Sequence, residues 1–318
     1  MDRPYILHMF TPGRQMSPFD INMAADAGYQ LVVPYADVGL GQIAGLTQDT
    51  IFSRGPKGVA RTGMFIGGRD VLLAADMLAA AQAAMVPPFV VSVMADPSGA
   101  YTTAAAMVAC VEAALLRQAG AGLAGRRVVV LGGTGPVGRI AGVLAARAGA
   151  LVQLSSRNGL DVADAAAQET AARFGVTLQG CSGGDTAALR HSIANAEVVL
   201  ACAAAGRQVL SVDDLVAARA LLVAADVNAV PPSGIAGVAV MDDAVPLAGT
   251  GGSSSAVGIG AVGSGAVGIG ALAVGNVKYQ TQHRLLLQMR TADKPVALGF
   301  DAAFATARAF LAERAAAA

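Results

Sequence analysis

A β-branched run that breaks into closely spaced glycines constrains this chain more than any other stretch. Arg126-Arg127-Val128-Val129-Val130-Leu131 runs into Gly132-Gly133-Thr134-Gly135-Pro136-Val137-Gly138, and an Ala-rich segment from Arg139 to Ala148 follows at helical length. That order predicts strand, tight turn and helix, the opening of a dinucleotide-binding unit. The G-T-G-P-V-G spacing assigns each glycine a task. Gly133 makes the tight turn, Gly135 lets backbone approach a pyrophosphate, and Gly138 lets the helix lie close on the strand. Thr134, Pro136 and Val137 are the intervening cofactor contacts. The helix N-terminus offers N–H groups and a positive dipole end to phosphate. Out of context, such spacing is an ordinary Gly-rich turn; the strand before it and the helix after it favour the dinucleotide.

Length and charge narrow the rest. The 318 residues allow one large or two medium domains. With 22 basic against 22 acidic side chains there is no global field to draw nucleic acid or anionic lipid, so any anion is held by a local site. Cys110, Cys181 and Cys202 are far apart, and His8, His191 and His283 equally so, which predicts free thiols, no metal and a reducing, cytoplasmic location. Met1-Asp2-Arg3-Pro4 leads into a run too short for a secretory core. Ala244 to Val277 is uncharged but diluted by Gly and Ser throughout, so it reads as a Gly-rich loop and a buried turn rather than a membrane span. Within it Ala256–Ala261 recurs as Ala266–Ala271, a local duplication that predicts a surface loop before Ala266.

The fold class is α/β with parallel sheets, because predicted strands alternate with helices. Strands are expected at Tyr5–Phe10, Leu31–Pro34, Thr62–Ile66, Phe89–Met94, Leu151–Leu154, Val176–Leu178, Val198–Cys202 and Leu221–Val227. Ser17 and Pro18 are expected to start a helix reaching Gly28, and Asp70 to cap another that Pro87-Pro88 stops. Asp96-Pro97-Ser98-Gly99 reads as a turn before a helix from Tyr101 to about Gln118. Further helices are expected at Asp161–Phe174, Asp185–Asn195, Asp213–Ala220, Val274–Met289 and from Ala302 onward.

Site residues follow from strand ends. About 20 residues past the glycines an acidic side chain would hold the ribose 2′-OH of NAD. Here stand Ser155-Ser156-Arg157. Two hydroxyls and a guanidinium suit a 2′-phosphate, so NADP is the favoured cofactor, with NAD still possible. The alternative is that Arg157 is a solvated loop residue. Ala203, in Ala203-Ala204-Ala205-Gly206, suits the approach of a flat ring. Asn228 is a candidate cofactor contact at a strand's C-terminal end.

Six stretches stand out besides the glycine turn: H-M-F-T-P…M-S-P-F-D-I-N-M-A from His8, L-T-Q-D-T-I-F-S-R from Leu46, R-T-G-M-F-I-G-G from Arg61, A-D-P-S-G-A-Y-T-T-A-A-A from Ala95, D-V-N-A-V-P-P-S-G-I-A-G from Asp226 and V-G-I-G-A-L-A-V-G-N-V-K-Y-Q-T-Q from Val267. Through them the chain resembles the methylene-tetrahydromethanopterin dehydrogenases of methylotrophic bacteria, in the branch able to use NADP or NAD. The stretches cover nearly the whole chain, although the family pattern carries the G-I-G-A block once. The resemblance implies an N-terminal α/β substrate (pterin) domain, residues 1–105 joined by 278–318, and a Rossmann domain, a doubly wound parallel sheet over 106–277. It also implies a homo-oligomer.

The implied reaction is NAD(P)-dependent oxidation of methylene- to methenyl-tetrahydromethanopterin in one-carbon metabolism. The methylene carbon gives up H⁻, and its two flanking nitrogens stabilise the cation, so no proton moves in that step. Alignment in a dry cleft is then the protein's main task. By resemblance Asp20 accepts from the pterin amide and amino donors, Thr102 and Thr103 wall the cleft, and Lys278 neighbours the reacting ring or the substrate's acidic tail. Asp20 and Lys278 are thus the catalytic candidates, with Gln282 and His283 as further substrate contacts one turn beyond Lys278. Read from composition alone, Lys278 is a solvated helix lysine, Thr102 and Thr103 are helix caps, and His283 is a surface residue. Other readings are a methylene-tetrahydrofolate dehydrogenase, a non-catalytic NADP-sensing module and a shikimate-type dehydrogenase. The last needs a Lys–Asp pair, yet Lys57, the one lysine of the first hundred residues, stands among Gly and Pro.

Overall fold

The computed structural model describes residues 3–247 and 265–317. The first copy of the repeated block and most of the expected Gly-rich loop lie outside the described residues. In chain order the strands are β1 (Ile6–Phe10), β2 (Leu31–Tyr35), β3 (Thr62–Ile66), β4 (Ser92–Ala95), β5 (Arg127–Leu131), β6 (Leu151–Ser156), β7 (Gln179–Ser182), β8 (Val198–Ala201), β9 (Val223–Asp226), β10 (Asp243–Pro246), β11 (Val267–Ile269) and β12 (Ala297–Leu298). The chain divides into two compact units, Met1–Thr102 with Tyr279–Phe310, and Thr103–Lys278 with Leu311–Ala318. The last eight residues thus group with the second unit, where Arg314 bonds Asp243 at 2.8 Å, rather than with the first as expected.

The first unit is a parallel sheet in the order β12-β4-β3-β1-β2. Its central strands are buried on both faces, which is why Met64-Phe65-Ile66 and Val93-Met94 read as continuous apolar runs. β4 begins three residues later than the sequence suggests, because Phe89 N–H turns back to the Val86 carbonyl. Ser17 stands at the N-cap of helix Pro18–Asp26, but its hydroxyl makes no capping bond there. Asp70 does cap helix Val71–Ala83, accepting from Leu72 and Leu73 N–H at 2.9 and 3.1 Å. Helix Leu40–Phe52 was not legible in sequence. Gly41, Gly45, Thr47 and Thr50 dilute its helical signal, yet it buries a stripe of Ile43, Thr47, Thr50 and Ile51. Both threonine hydroxyls donate to carbonyls one turn back, so the buried stripe leaves no polar group unmet.

The second unit is a seven-stranded sheet, β10-β11-β9-β8-β5-β6-β7, parallel except for β10. The strand order reverses between β5 and β8, the point at which such sheets open a crevice. β6 runs two residues further than expected, so Ser155 and Ser156 lie inside the strand. β7 is displaced to Gln179–Ser182 by its pairing with Gln153–Ser156. The expected Asp213–Ala220 helix is a single turn, Val212–Leu215, held by a Ser211–Asp214 capping box. The long apolar helix Ala100–Ala119 would pass for a membrane span by length and composition, but it is mostly buried, as befits a core helix.

Replacing Asp70 by Ala removes two charge-assisted N-cap bonds. The unfolding free energy is expected to fall by about 1 kcal/mol in denaturant titration; an unchanged midpoint would show that the cap contributes nothing.

Candidate functional site

The glycine turn follows β5 and starts helix Pro136–Arg147. Its positive-φ residue is Gly132, at +71°, so Gly132 makes the tight turn rather than Gly133. A Cβ on Gly132 would also lie 2.9 Å from the Ala203 backbone. Gly133 is constrained by packing, since its Cβ would meet Leu154 Cα at 2.8 Å. Gly138 brings the helix onto the turn: its Cβ would meet the Gly132 carbonyl oxygen at 2.5 Å. Gly135 is the N-cap and has no side chain to cap the helix. Pro136 occupies the first helical position and has no N–H to leave unbonded. The first-turn N–H groups of Val137 and Gly138 therefore have no acceptor within the helix, whereas Arg139 N–H already bonds the Gly135 carbonyl at 2.9 Å, and a helix start of this kind suits an anion.

Around this turn lies a cavity of about 530 Å³ whose lining includes Gly132, Thr134, Gly135, Arg157, Ala203 and Arg207. Among the described residues, no Asp or Glu lines it. Ser155 and Ser156 line it too, but as buried strand residues, and Ser156 Oγ accepts from Asn158 N–H at 3.1 Å. Those hydroxyls are therefore held within the strand, while the exposed Arg157 brings a cation to the cavity. Arg207 was missed in sequence; its only signal is a basic residue just past an Ala-Gly turn at a strand end.

Asn228, expected to contact the cofactor, is instead a wall-builder. It is buried, its Oδ1 accepts from Gly206 and Val230 N–H, both at 3.0 Å, and its Nδ2 donates to the Pro232 carbonyl at 2.8 Å. Asp226 was also missed. It ends β9, 2% exposed, and accepts from the N–H groups of Gly234 (2.6 Å), Asn228 (2.9 Å) and Ile235 (3.1 Å). Burial holds its carboxyl above the usual range, although those three donors pull the other way. Cys202 turns its thiol to Met107 Sδ at 3.6 Å, and burial pushes it up to about 12, as it does for Cys110.

In the first unit the structure brings together two residues that sequence places 262 positions apart. Gln282 Nε2 donates to Asp20 Oδ1 at 2.7 Å, and both side chains are buried. The amide orients the carboxylate. Lys278 is half-buried, one helical turn before Gln282 on helix Ala271–Thr291, and so shares its stripe. His283 does not. Its ring stacks on Tyr279, 6.4 Å between centroids and 2° between planes, on a stripe about 100° round the helix from Gln282. Thr102, expected on a cleft wall, is fully buried, and its hydroxyl donates to Asp96 Oδ2 at 2.6 Å. Asp96 Oδ1 meanwhile accepts from Tyr101 and Thr102 N–H, so this buried aspartate caps the helix that the threonines were expected to cap. Thr103, next along, is half-buried.

Residues 18–98 match the family model described as methylene-tetrahydromethanopterin dehydrogenase, N-terminal. Over 299 residues, 94% of this chain and 96% of the relative, the chain is 46% identical to the NAD(P)-dependent methylenetetrahydromethanopterin dehydrogenase of Methylorubrum extorquens. It is 33% identical over 237 residues to the bifunctional protein MdtA of the same organism, covering 74% of this chain and 81% of that one. Among solved structures, the shikimate 5-dehydrogenase of Listeria monocytogenes in complex with shikimate and NAD aligns with a TM-score of 0.51 at 14% identity, over 92% of this chain and 93% of that one. That likeness extends to the fold alone, a Rossmann-type α/β architecture.

Two glycine substitutions separate packing from ligand approach. Gly138→Ala forces a Cβ against backbone and is expected to cost about 1–3 kcal/mol in thermal unfolding. Gly135→Ala meets only the Gly132 oxygen, at 3.3 Å, so it should melt near wild type yet lose dinucleotide affinity in a fluorescence titration. Equal melting of the two variants would refute this division. For Asp226 the folded pKa lies above the ordinary 3.8, so the native state binds more protons and stability falls as pH rises through that interval. Asp226→Asn should flatten the fall in pH-dependent denaturation; an unchanged slope would mean another group sets it.

Proposed function

The chain belongs to the family of NAD(P)-dependent methylenetetrahydromethanopterin dehydrogenases, and from that premise we propose that it oxidises methylene- to methenyl-tetrahydromethanopterin by direct hydride transfer, with NADP the preferred acceptor. It is an oxidoreductase with a Rossmann-type nucleotide unit. The observation that carries the cofactor preference is the cavity at the glycine turn, which presents Arg157 and no lining carboxylate among the described residues. A carboxylate there would repel a 2′-phosphate; a guanidinium attracts it.

When bound, the nicotinamide supplies a two-electron acceptor for the substrate's H⁻. The chain's own residues position and shield. The first turn of helix Pro136–Arg147 holds the diphosphate through its N–H groups. Ala203 keeps the neighbouring wall small enough for a flat ring. Asp20, fixed by Gln282, accepts from the amide and amino hydrogens of the pterin, and Thr103 rather than Thr102 is the threonine left for the substrate. Lys278 places a cation beside the ring or the acidic tail. No side chain is required to carry a proton, since the electron pair leaves with the hydrogen and the flanking nitrogens hold the remaining charge. Proximity and orientation then account for the rate. Homo-oligomeric assembly and cytoplasmic operation complete the reading, supported by the family resemblance and by the three separated free cysteines.

Steady-state kinetics with methylene-tetrahydromethanopterin and methylene-tetrahydrofolate against both nicotinamides test the assignment; absence of turnover with either carrier would sink it. Arg157→Ala should raise KM for NADP by about tenfold or more and leave NAD nearly unchanged. Equal losses would mean the guanidinium does not touch the phosphate. Asp20→Ala should lower kcat/KM for the pterin by about ten- to hundredfold, by stranding polar groups of Gln282 and substrate, with KM for NADP unmoved.

A further inference from the structure

We propose that Arg207 is a specificity-determining residue for the cofactor: it grips the 2′-phosphate from the wall opposite Arg157, so that the phosphate is held between two guanidinium groups. The inference rests on the NADP reading above. Three observations support it. First, Arg157 and Arg207 line the same cavity of about 530 Å³. Arg157 follows β6 and Arg207 follows β8, and the sheet order β8-β5-β6 sets those two loops on either side of the glycine turn that follows β5. Secondly, both side chains are exposed, and neither enters an ion pair or side-chain hydrogen bond among the described residues. The cavity's other polar groups are uncharged, so two cations face it without internal neutralisation. Like charges so placed are unfavourable until an anion arrives, and a phosphate dianion offers both forks an acceptor.

Thirdly, the segment that carries Arg207 is braced from behind. Asn228 Oδ1 accepts from Gly206 N–H at 3.0 Å. The Gly234 carbonyl accepts from Val209 and Leu210 N–H at 2.7 and 3.0 Å, and Ala236 N–H returns to the Leu210 carbonyl at 2.9 Å. Asp226 in turn pins Gly234 and Ile235. The backbone on both sides of Arg207 is therefore fixed, and only the side chain has freedom to close on a ligand. A residue that merely decorated a loop would not need such a mount.

The test is binding of NADPH and NADH by nicotinamide fluorescence, and of adenosine 2′,5′-bisphosphate and 5′-AMP by calorimetry, to wild type, Arg207→Ala, Arg207→Lys and Arg157→Ala. Because Arg207 is exposed, Arg207→Ala should melt as wild type does. We expect it to raise Kd for NADPH and for the bisphosphate by about tenfold, and to change NADH and AMP by less than about twofold. Arg207→Lys should restore part of the loss, as a point charge without the fork. Equal weakening of all four ligands would assign Arg207 to the adenine or diphosphate and overturn the inference. So would a wild type that prefers NADPH, loses that preference in Arg157→Ala and keeps it in Arg207→Ala. A wild type holding NADPH no tighter than NADH would instead remove the NADP reading beneath it.

Discussion

Backbone packed directly on backbone at the Gly132–Gly138 turn is the contact on which the rest of the nucleotide unit depends. The start of helix Pro136–Arg147 sits so close to the turn that a single methyl at 138 would collide with the Gly132 oxygen. That closeness aims the helix axis, and with it the positive end of the dipole, at the crevice between β5 and β8. On its far side the turn touches the Ala203 backbone, so the same few atoms also set the width of the cavity mouth. Every polar group assigned to the cofactor hangs from strands that meet at this point.

The first unit works on another principle. Its Asp20 carboxylate, which we propose receives the pterin, is not displayed on a loop but buried with an amide partner contributed by a distant helix. A buried carboxylate held by a fixed neighbour discriminates by geometry, since a ligand that bonds it must fit that arrangement or leave a desolvated group behind. That suits a reaction in which nothing protonic has to happen. It also explains why the chain carries so little of the usual catalytic vocabulary.

The alternation of strand and helix, the parallel sheets and the glycine turn were legible in sequence, because apolar runs, proline stops and glycine spacing are local signals. Asp20 and Lys278 came from family resemblance. What sequence misplaced was decided by side-chain partners and helix faces that spacing alone does not reveal. Thr102 looked available, but Asp96 six residues earlier takes its hydroxyl. Asn228 stood at a strand end where ligands bind, yet the Gly206 and Pro232 backbone consumes its amide. β11 was hidden because Gly268, with no β propensity of its own, fills a strand position between Val238 and Leu247. Gln282 and His283 are adjacent in sequence but a hundred degrees apart on their helix, so only one of them meets Asp20.

The Asp226 staple carries a last consequence. A loop that solvates itself with its own carboxylate needs no ligand to become ordered. The amides of Asn228, Val230, Gly234 and Ile235 already have acceptors, and Gly234 leaves no room for a side chain that could pry the loop away. The wall is thus preorganised, and little conformational entropy is lost there when a cofactor docks. On the proposed reading, affinity from that side of the crevice would come nearly undiminished from the contacts themselves, and cofactor release would not wait for the wall to refold.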